Sequence, residues 1–474
     1  MLALSIPRPG ARALVVAVLV VATHTSVASA QTSDVDVPAP VPIEDLVPMT
    51  PGAPTSFDAA AATRITHPDG QIGATTLLDA QRQLALARAS LLPRVDLAAS
   101  YTRLSDVQTP PLVFAGQSID SPFPQILDQW STSATLTVPI TAILLQGMPT
   151  MRAAELGIDI AASQQQASLD TVAWQGVEAW YGWVQAQVAR NVAHESLRLV
   201  EATVGHVELL AEAGVVPRID LTTARSGLEQ ARAAAARAEL ATELAETHLR
   251  QLTGWDASVP LGIGEAILDV DAPTAPTVEA LVDLARSARP EFDALDAARR
   301  AREAQLRAVR AESIPALGVS ASAVYANPNQ RIVPSRQEFD GTWSAGVTLS
   351  WTPTSIPASR VRVDRAALEI QRIDDQRAAL EFGLRAEASA AVSAWQQAEA
   401  ALQAARPEVD AARAEYDARR VSLSAGLGTT TELITASRTL AQAQLHLIDA
   451  SIALHRAQRQ VDRIAGAAPT ASLD

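Results

Sequence analysis

Two carboxylates occupy the same point of a duplicated pattern. Asp220 lies six residues after Gly214, and Glu432 lies six residues after Gly426. In each copy a helix-stopping glycine and a short turn precede the acid, and an Ala-rich stretch then runs to a closing glycine, Gly254 or Gly466. A carboxylate in the first turn of a helix faces the positive end of the helix dipole and stabilises it. Thr429-x-x-Glu432 has the spacing of a capping box, and Pro217 fits the first helical position ahead of Asp220. Repeated about a symmetry axis, the same carboxylates would instead form a ring of one sign that focuses potential and concentrates cations. The two readings are compatible, and both stand.

No other residues suggest chemistry. His67, His194, His206, His248, His446 and His455 show no metal-chelating spacing. No Gly-rich phosphate loop follows a strand, and no acid/base or nucleophile cluster stands out, so neither an enzyme nor a cofactor or metal is expected. There is no Cys, hence no disulfide, no thiolate metal site and no lipidated N-terminal cysteine. The formal net charge of −14 argues against a nucleic-acid partner.

The elements that position the two acids also recur. Gly214 and Gly426 are separated by the same number of residues as Gly254 and Gly466. Ser90-Leu91-Leu92-Pro93 is echoed by Glu312-Ser313-Ile314-Pro315, and His67-Pro68 by Arg289-Pro290, at one common offset. Such duplication fixes architecture before any local reading does. Each half reads helix, proline, strand, loop, strand, very long helix, tip, helix. Residues 149–213 contain no interior proline and would extend roughly 98 Å as a helix. Residues 358–424 are comparable, with Pro407 expected to kink them. Helices this long call for coiled-coil packing, and 218–253 and 430–464 would run back antiparallel to them.

The strands alternate with period two. Val95, Leu97, Ala99 and Tyr101 share one face of the first. Trp130, Thr132, Ala134, Leu136 and Val138 share one face of its return strand, with Ser131, Ser133, Thr135 and Thr137 opposite. The second half repeats this with Leu317, Val319, Ala321, Ala323 and Tyr325, then with Trp343, Ala345, Val347, Leu349 and Trp351. The aromatics Tyr101, Trp130, Tyr325, Trp343 and Trp351 suit a membrane-interface girdle, with Leu136 and Val347 toward lipid and Thr135 and Thr348 toward a lumen. A half-buried soluble sheet fits the same alternation. If the strands enter lipid, four cannot close a barrel and open edges are not tolerated there. Three copies would give twelve strands and would draw the long helices into a tube.

Residues 1–30 read as a secretory signal, with Arg8 and Arg12 before a short apolar run and Ala28-Ser29-Ala30 before Gln31. A Pro-rich extended linker is expected at 31–56. The first repeat covers 57–270, with strands at about 95–103 and 130–140 and a tip at 213–220. A linker follows at 271–277, then the second repeat at 278–466, with strands at about 317–325 and 343–352 and a tip at 425–432. A tail closes the chain at 467–474. The fold class expected is mainly α with a small β part.

The duplication, the Ser-Leu-Leu-Pro before the first strand, the prolines Pro68 and Pro290, and the two tips together make the chain resemble the TolC-type outer-membrane efflux family, over about 57–466. The resemblance implies a homotrimer with a twelve-stranded outer-membrane barrel and an α-helical periplasmic tunnel in a Gram-negative type envelope. It implies a passive exit duct for drugs, metals or secreted proteins, in an efflux or type I secretion system. Its partners would be a periplasmic adaptor, an inner-membrane transporter and outer-membrane lipid. Asp220 and Glu432 would form the pore constriction. Gly214, Val215, Val216, Pro217, Arg218, Gly426, Leu427, Gly428 and Thr429 would meet the adaptor. The second tip lacks the Arg that many members carry, and Thr435 stands where many have a second acid. The alternative is a periplasmic coiled-coil adaptor or structural protein outside the membrane; a secreted hydrolase finds no support in the residues.

Overall fold

The computed structural model describes residues 37–106, 112–114, 117–119, 126–270 and 274–467. The expected leader at 1–30, the first part of the 271–277 linker and residues 468–474 of the tail lie outside them. The helices are α1 (Ile43–Leu46), α2 (Ser56–Thr66), α3 (Pro68–Ala89), α4 (Met148–Glu212), α5 (Arg218–Thr253), α6 (Val278–Ala288), α7 (Pro290–Ala311), α8 (Ile356–Ser424) and α9 (Thr430–Ile464). The strands are β1 (Arg94–Arg103), β2 (Leu112–Phe114), β3 (Gln117–Ile119), β4 (Asp128–Val138), β5 (Ala316–Asn327) and β6 (Asp340–Ser350).

The sequence duplication is a structural one. β1 and β4 with the helices α2–α5 form one half; β5 and β6 with α6–α9 form the other. Prolines set the joints: Pro68 and Pro290 each open a 22-residue helix at its first position, where their missing N–H is not needed. Pro407 stays inside the single helix α8.

Packing in the second hairpin follows a strict heptad. On α8 the buried Ala388, Trp395, Leu402, Val409 and Tyr416 recur every seven residues, interleaved with Ala391, Ala398, Ala405 and Ala412. On α9, Leu433, Leu440, Leu447, Leu454 and Val461 recur in the same way, interleaved with Ala436, Ala443, Ala450 and Ala457. A seven-residue repeat keeps one seam facing one partner along the whole length, and alanine at alternate layers lets two helix backbones approach closely. α4 contributes some of the largest fully buried side chains, Trp180 and Tyr181, with Val184, Val188 and Val192 buried beside them.

From Val37 onward the Pro-rich segment is no free linker, residues 31–36 lying outside the described residues. It forms α1 and buries Val37, Ile43, Leu46 and Val47 against the long helices. Proline lacks a backbone donor, and the backbone carbonyls of this segment serve as acceptors. Asn191 donates to the Leu46 carbonyl at 2.9 Å, Arg198 to Ala39 at 3.1 Å, and Tyr416 to Pro38 at 3.4 Å. The segment therefore straps α4 to α8. Glu195, almost fully buried, accepts from the Val41 N–H at 2.8 Å. Burial pushes its carboxyl up, but the Arg198 guanidinium and that N–H outweigh burial and hold it below the usual carboxylate range.

β1, β4, β5 and β6 form one antiparallel sheet in that order. The register puts Val95 opposite Leu136, Leu136 opposite Ala321, and Ala321 opposite Ala345. One face is thus apolar across all four strands, and the other carries Ser131, Ser133, Thr135, Ser320, Ser322, Ser344 and Thr348. Among the described residues no strand pairs with the outer edge of β1 or of β6.

Candidate functional site

Each hairpin tip is built by a glycine in the left-handed region. Gly214 has φ 73° and Gly426 φ 74°. Around them the N–H of Val215 reaches the Leu210 carbonyl at 2.8 Å, and that of Leu427 reaches Ser422 at 2.9 Å. These are Schellman closures, which need a residue free of a Cβ penalty at the turn. Gly428 is crowded for another reason: a Cβ there would lie 3.1 Å from both the Leu423 nitrogen and the Ser422 Cβ, so those neighbours would have to give way. Beyond the closures Val215 and Leu427 project with most of their surface uncovered, as does Ile219 beside them. Gly214, Pro217, Arg218 and Gly426 are also exposed; Val216 and Gly428 are half-buried.

The two tips lie at the same end of the molecule. Ile434, two residues past Glu432, buries itself among Val204, Val207 and Ala224, with Val216 packed alongside. The tip acids nevertheless differ. Glu432 closes a capping box with Thr429, accepting its N–H at 3.2 Å, and also meets Arg419 of α8 at 3.5 Å. Asp220 sits half-buried in the first turn of α5, and among the described residues no hydrogen bond or ion pair engages its carboxylate. Pro217 is the residue before the helix, with ψ 147°, and not its first residue. Its carbonyl accepts the Asp220 N–H at 3.0 Å. Arg419 was not singled out from sequence; its role depends on the antiparallel register of α8 and α9, which no local spacing reveals.

At the other end, the apolar face of the sheet is open. Val347 is 71% and Leu349 69% exposed, and Leu97 is 79% exposed. Tyr101 and Trp130 pack ring to ring at 4.5 Å, and Tyr325 stacks on Phe339 at 5.4 Å, both at the sheet end away from the helices. Trp343 stands two rungs further in, opposite Ala323. Trp351 lies just beyond β6 at the helical end, where its indole donates to the Ser313 carbonyl at 3.2 Å. The apolar face is thus bounded by aromatics at both ends. No helix among the described residues is long and apolar enough to cross a membrane.

The histidines go to separate places. His194 contacts Glu239, His446 contacts Glu408, and His455 stacks on Tyr181 and meets the Ile267 carbonyl.

A duplicated pair of long helical hairpins with a four-stranded sheet at one end, one face of it apolar and the other bearing hydroxyls, is the architecture of an outer-membrane channel protein. The family model of outer membrane efflux proteins matches residues 62–255 and 281–467, and the chain belongs to that family. It is an outer-membrane exit duct. Solved channels share the fold. CusC, described in structures of folding and transmembrane channel formation, is 15% identical with a TM-score of 0.73, over 87% of this chain and 92% of its own. The CmeC outer membrane channel of Campylobacter jejuni is 15% identical with a TM-score of 0.72, over 91% and 89%. The open MtrE outer membrane channel of Neisseria gonorrhoeae is 15% identical with a TM-score of 0.71, over 88% and 91%. No curated protein matches the chain by sequence.

Proposed function

We propose that three copies of the chain close a twelve-stranded barrel in the outer membrane and a helical tunnel below it, and that the tips meet a periplasmic adaptor fed by an inner-membrane transporter. The observation that carries this reading is the sheet: one continuous apolar face beside two unpaired edges. In lipid an unpaired edge leaves backbone donors and acceptors with no partner, so the sheet must close on other copies. Four strands per chain and three chains give an even-stranded barrel of ordinary size. A periplasmic adaptor that never entered lipid would leave the apolar face without an environment.

In this reading Val215, Leu427 and Ile219 form the apolar contact offered to the adaptor, and Asp220 lies at the narrow tip. Its uncommitted carboxylate supports a role in the constriction. Glu432, already held by Thr429 and Arg419, is better suited to fixing the second tip than to facing cargo. Cargo selection belongs to the transporter.

The test combines location with the two faces. The wild-type chain should fractionate with the outer membrane and run as a trimer in mild detergent. Leu136→Arg, on the apolar face, should cost ~2–4 kcal/mol and deplete trimers, whereas Thr135→Arg on the hydroxyl face should be tolerated. Equal tolerance of both substitutions, or a soluble periplasmic monomer, overturns the reading.

A further inference from the structure

The connection between β5 and β6, residues 328–339, does not project from the barrel end. Asn329 is 2% exposed. Its amide donates to the Asp340 carbonyl at 2.9 Å and to the Thr342 hydroxyl at 3.1 Å, and its side-chain oxygen accepts the Arg331 N–H at 3.1 Å. Thr342 belongs to the hydroxyl-bearing face, so these bonds fold the chain back over that face. Arg331 then reaches Ser344, donating to its Oγ at 3.1 Å, and Ser344 shares a 2.9 Å hydrogen bond with Ser322. Ser344 lies four residues below the strand end at Asp340, about 13 Å along the strand. The guanidinium is therefore inside the mouth and not at its rim.

Between the folded connection and the sheet is a cavity of 370 Å³. Ser100, Thr102, Gln129, Ser131, Gln330 and Arg331 line it. Arg331 has no carboxylate partner among the described residues. On the same face of the strands the other ionisable groups are Arg94 and Asp96, paired to each other at 2.8 Å near the helical end, and Asp340 at the rim. The cavity thus joins one unneutralised cation to hydroxyl and amide donors. Guanidinium with neighbouring hydroxyls is a donor set for carboxylate.

We propose that this cavity is a binding site for carboxylate groups of permeating solutes, placed at the outer mouth of the duct. It rests on the trimeric barrel reading, which would set three such sites around the axis. The site delays anionic molecules at the exit and disfavours entry of cationic ones from outside.

Single-channel recording with citrate on the connection side tests this. Wild-type channels should show transient citrate blockades whose frequency falls as ionic strength rises. Arg331→Gln should weaken citrate binding about tenfold or more, and Arg331→Lys should recover part of it. Both variants should still form trimers and open, ion-conducting pores, which separates loss of the site from loss of the barrel. Blockades equal in wild type and Arg331→Gln, or absent from conducting wild-type channels, overturn the proposal. A purified chain that forms no channels at all sinks the trimeric barrel reading first, and this proposal with it.

Discussion

Asp220 and Glu432 are matched in sequence and unequal in structure. Glu432 satisfies the Thr429 N–H and an arginine of the neighbouring helix, so its charge is spent locally. Asp220 has no such partner. The two residues should therefore separate when substituted. Glu432→Gln keeps the capping-box spacing but loses the exposed ion pair with Arg419, so it should cost at most about 1 kcal/mol and leave the ion selectivity of the channel unchanged. Asp220→Asn should leave thermal stability nearly unchanged, reduce cation selectivity and weaken block by multivalent cations applied from the tip side. Planar-bilayer recording and thermal melts of the two single variants measure this directly. Selectivity unchanged in Asp220→Asn would return that residue to a capping role.

The elements read clearly from sequence wherever glycine or proline punctuates them. α5 and α9 begin and end at the residues expected, because Gly214, Gly254, Gly426 and Gly466 each close a helix with positive φ. The hairpin faces of the sheet also follow directly from period-two alternation. Two elements did not. Residues 37–56 carry many prolines and no periodicity, yet their carbonyls are the acceptors that Asn191, Arg198 and Tyr416 need; the signal lies in the partners, far away in the chain. The inward fold of residues 328–339 depends on Asn329 finding Thr342 across a hairpin, which composition cannot show. The tip glycines give the test at this scale. Gly426→Val with Gly428→Val forces a side chain into a left-handed turn and another against the Leu423 nitrogen. The double variant should lose efflux while trimers still reach the outer membrane. Unaltered efflux would mean that the tip is not the contact surface.

At the scale of the whole molecule, the long helices and the sheet solve different problems. The heptad seams of α8 and α9 and the buried stripe of α4 give each protomer a core of its own. The sheet has no such independence, since one face is apolar and exposed and both edges are open. The helical part can thus be folded in water before the sheet has anywhere stable to go. In the proposed ring the hydroxyl face of the sheet would meet a water-filled lumen and the apolar face lipid.

The unpaired edges of β1 and β6 have a consequence for gene dosage. In a ring of three, each copy offers β1 to one neighbour and β6 to the other, so one faulty edge leaves the whole ring open. If half of the subunits in a cell carry a broken β6 edge and mixing is random, about one assembly in eight contains only sound copies. Co-expression of wild-type chain with an equal amount of an edge variant, such as one with proline at Val347, should therefore depress efflux far below half. A loss of only half would show that faulty copies are sorted out before assembly. Injury to this gene product is in that sense contagious: the damaged allele disables the product of the intact one.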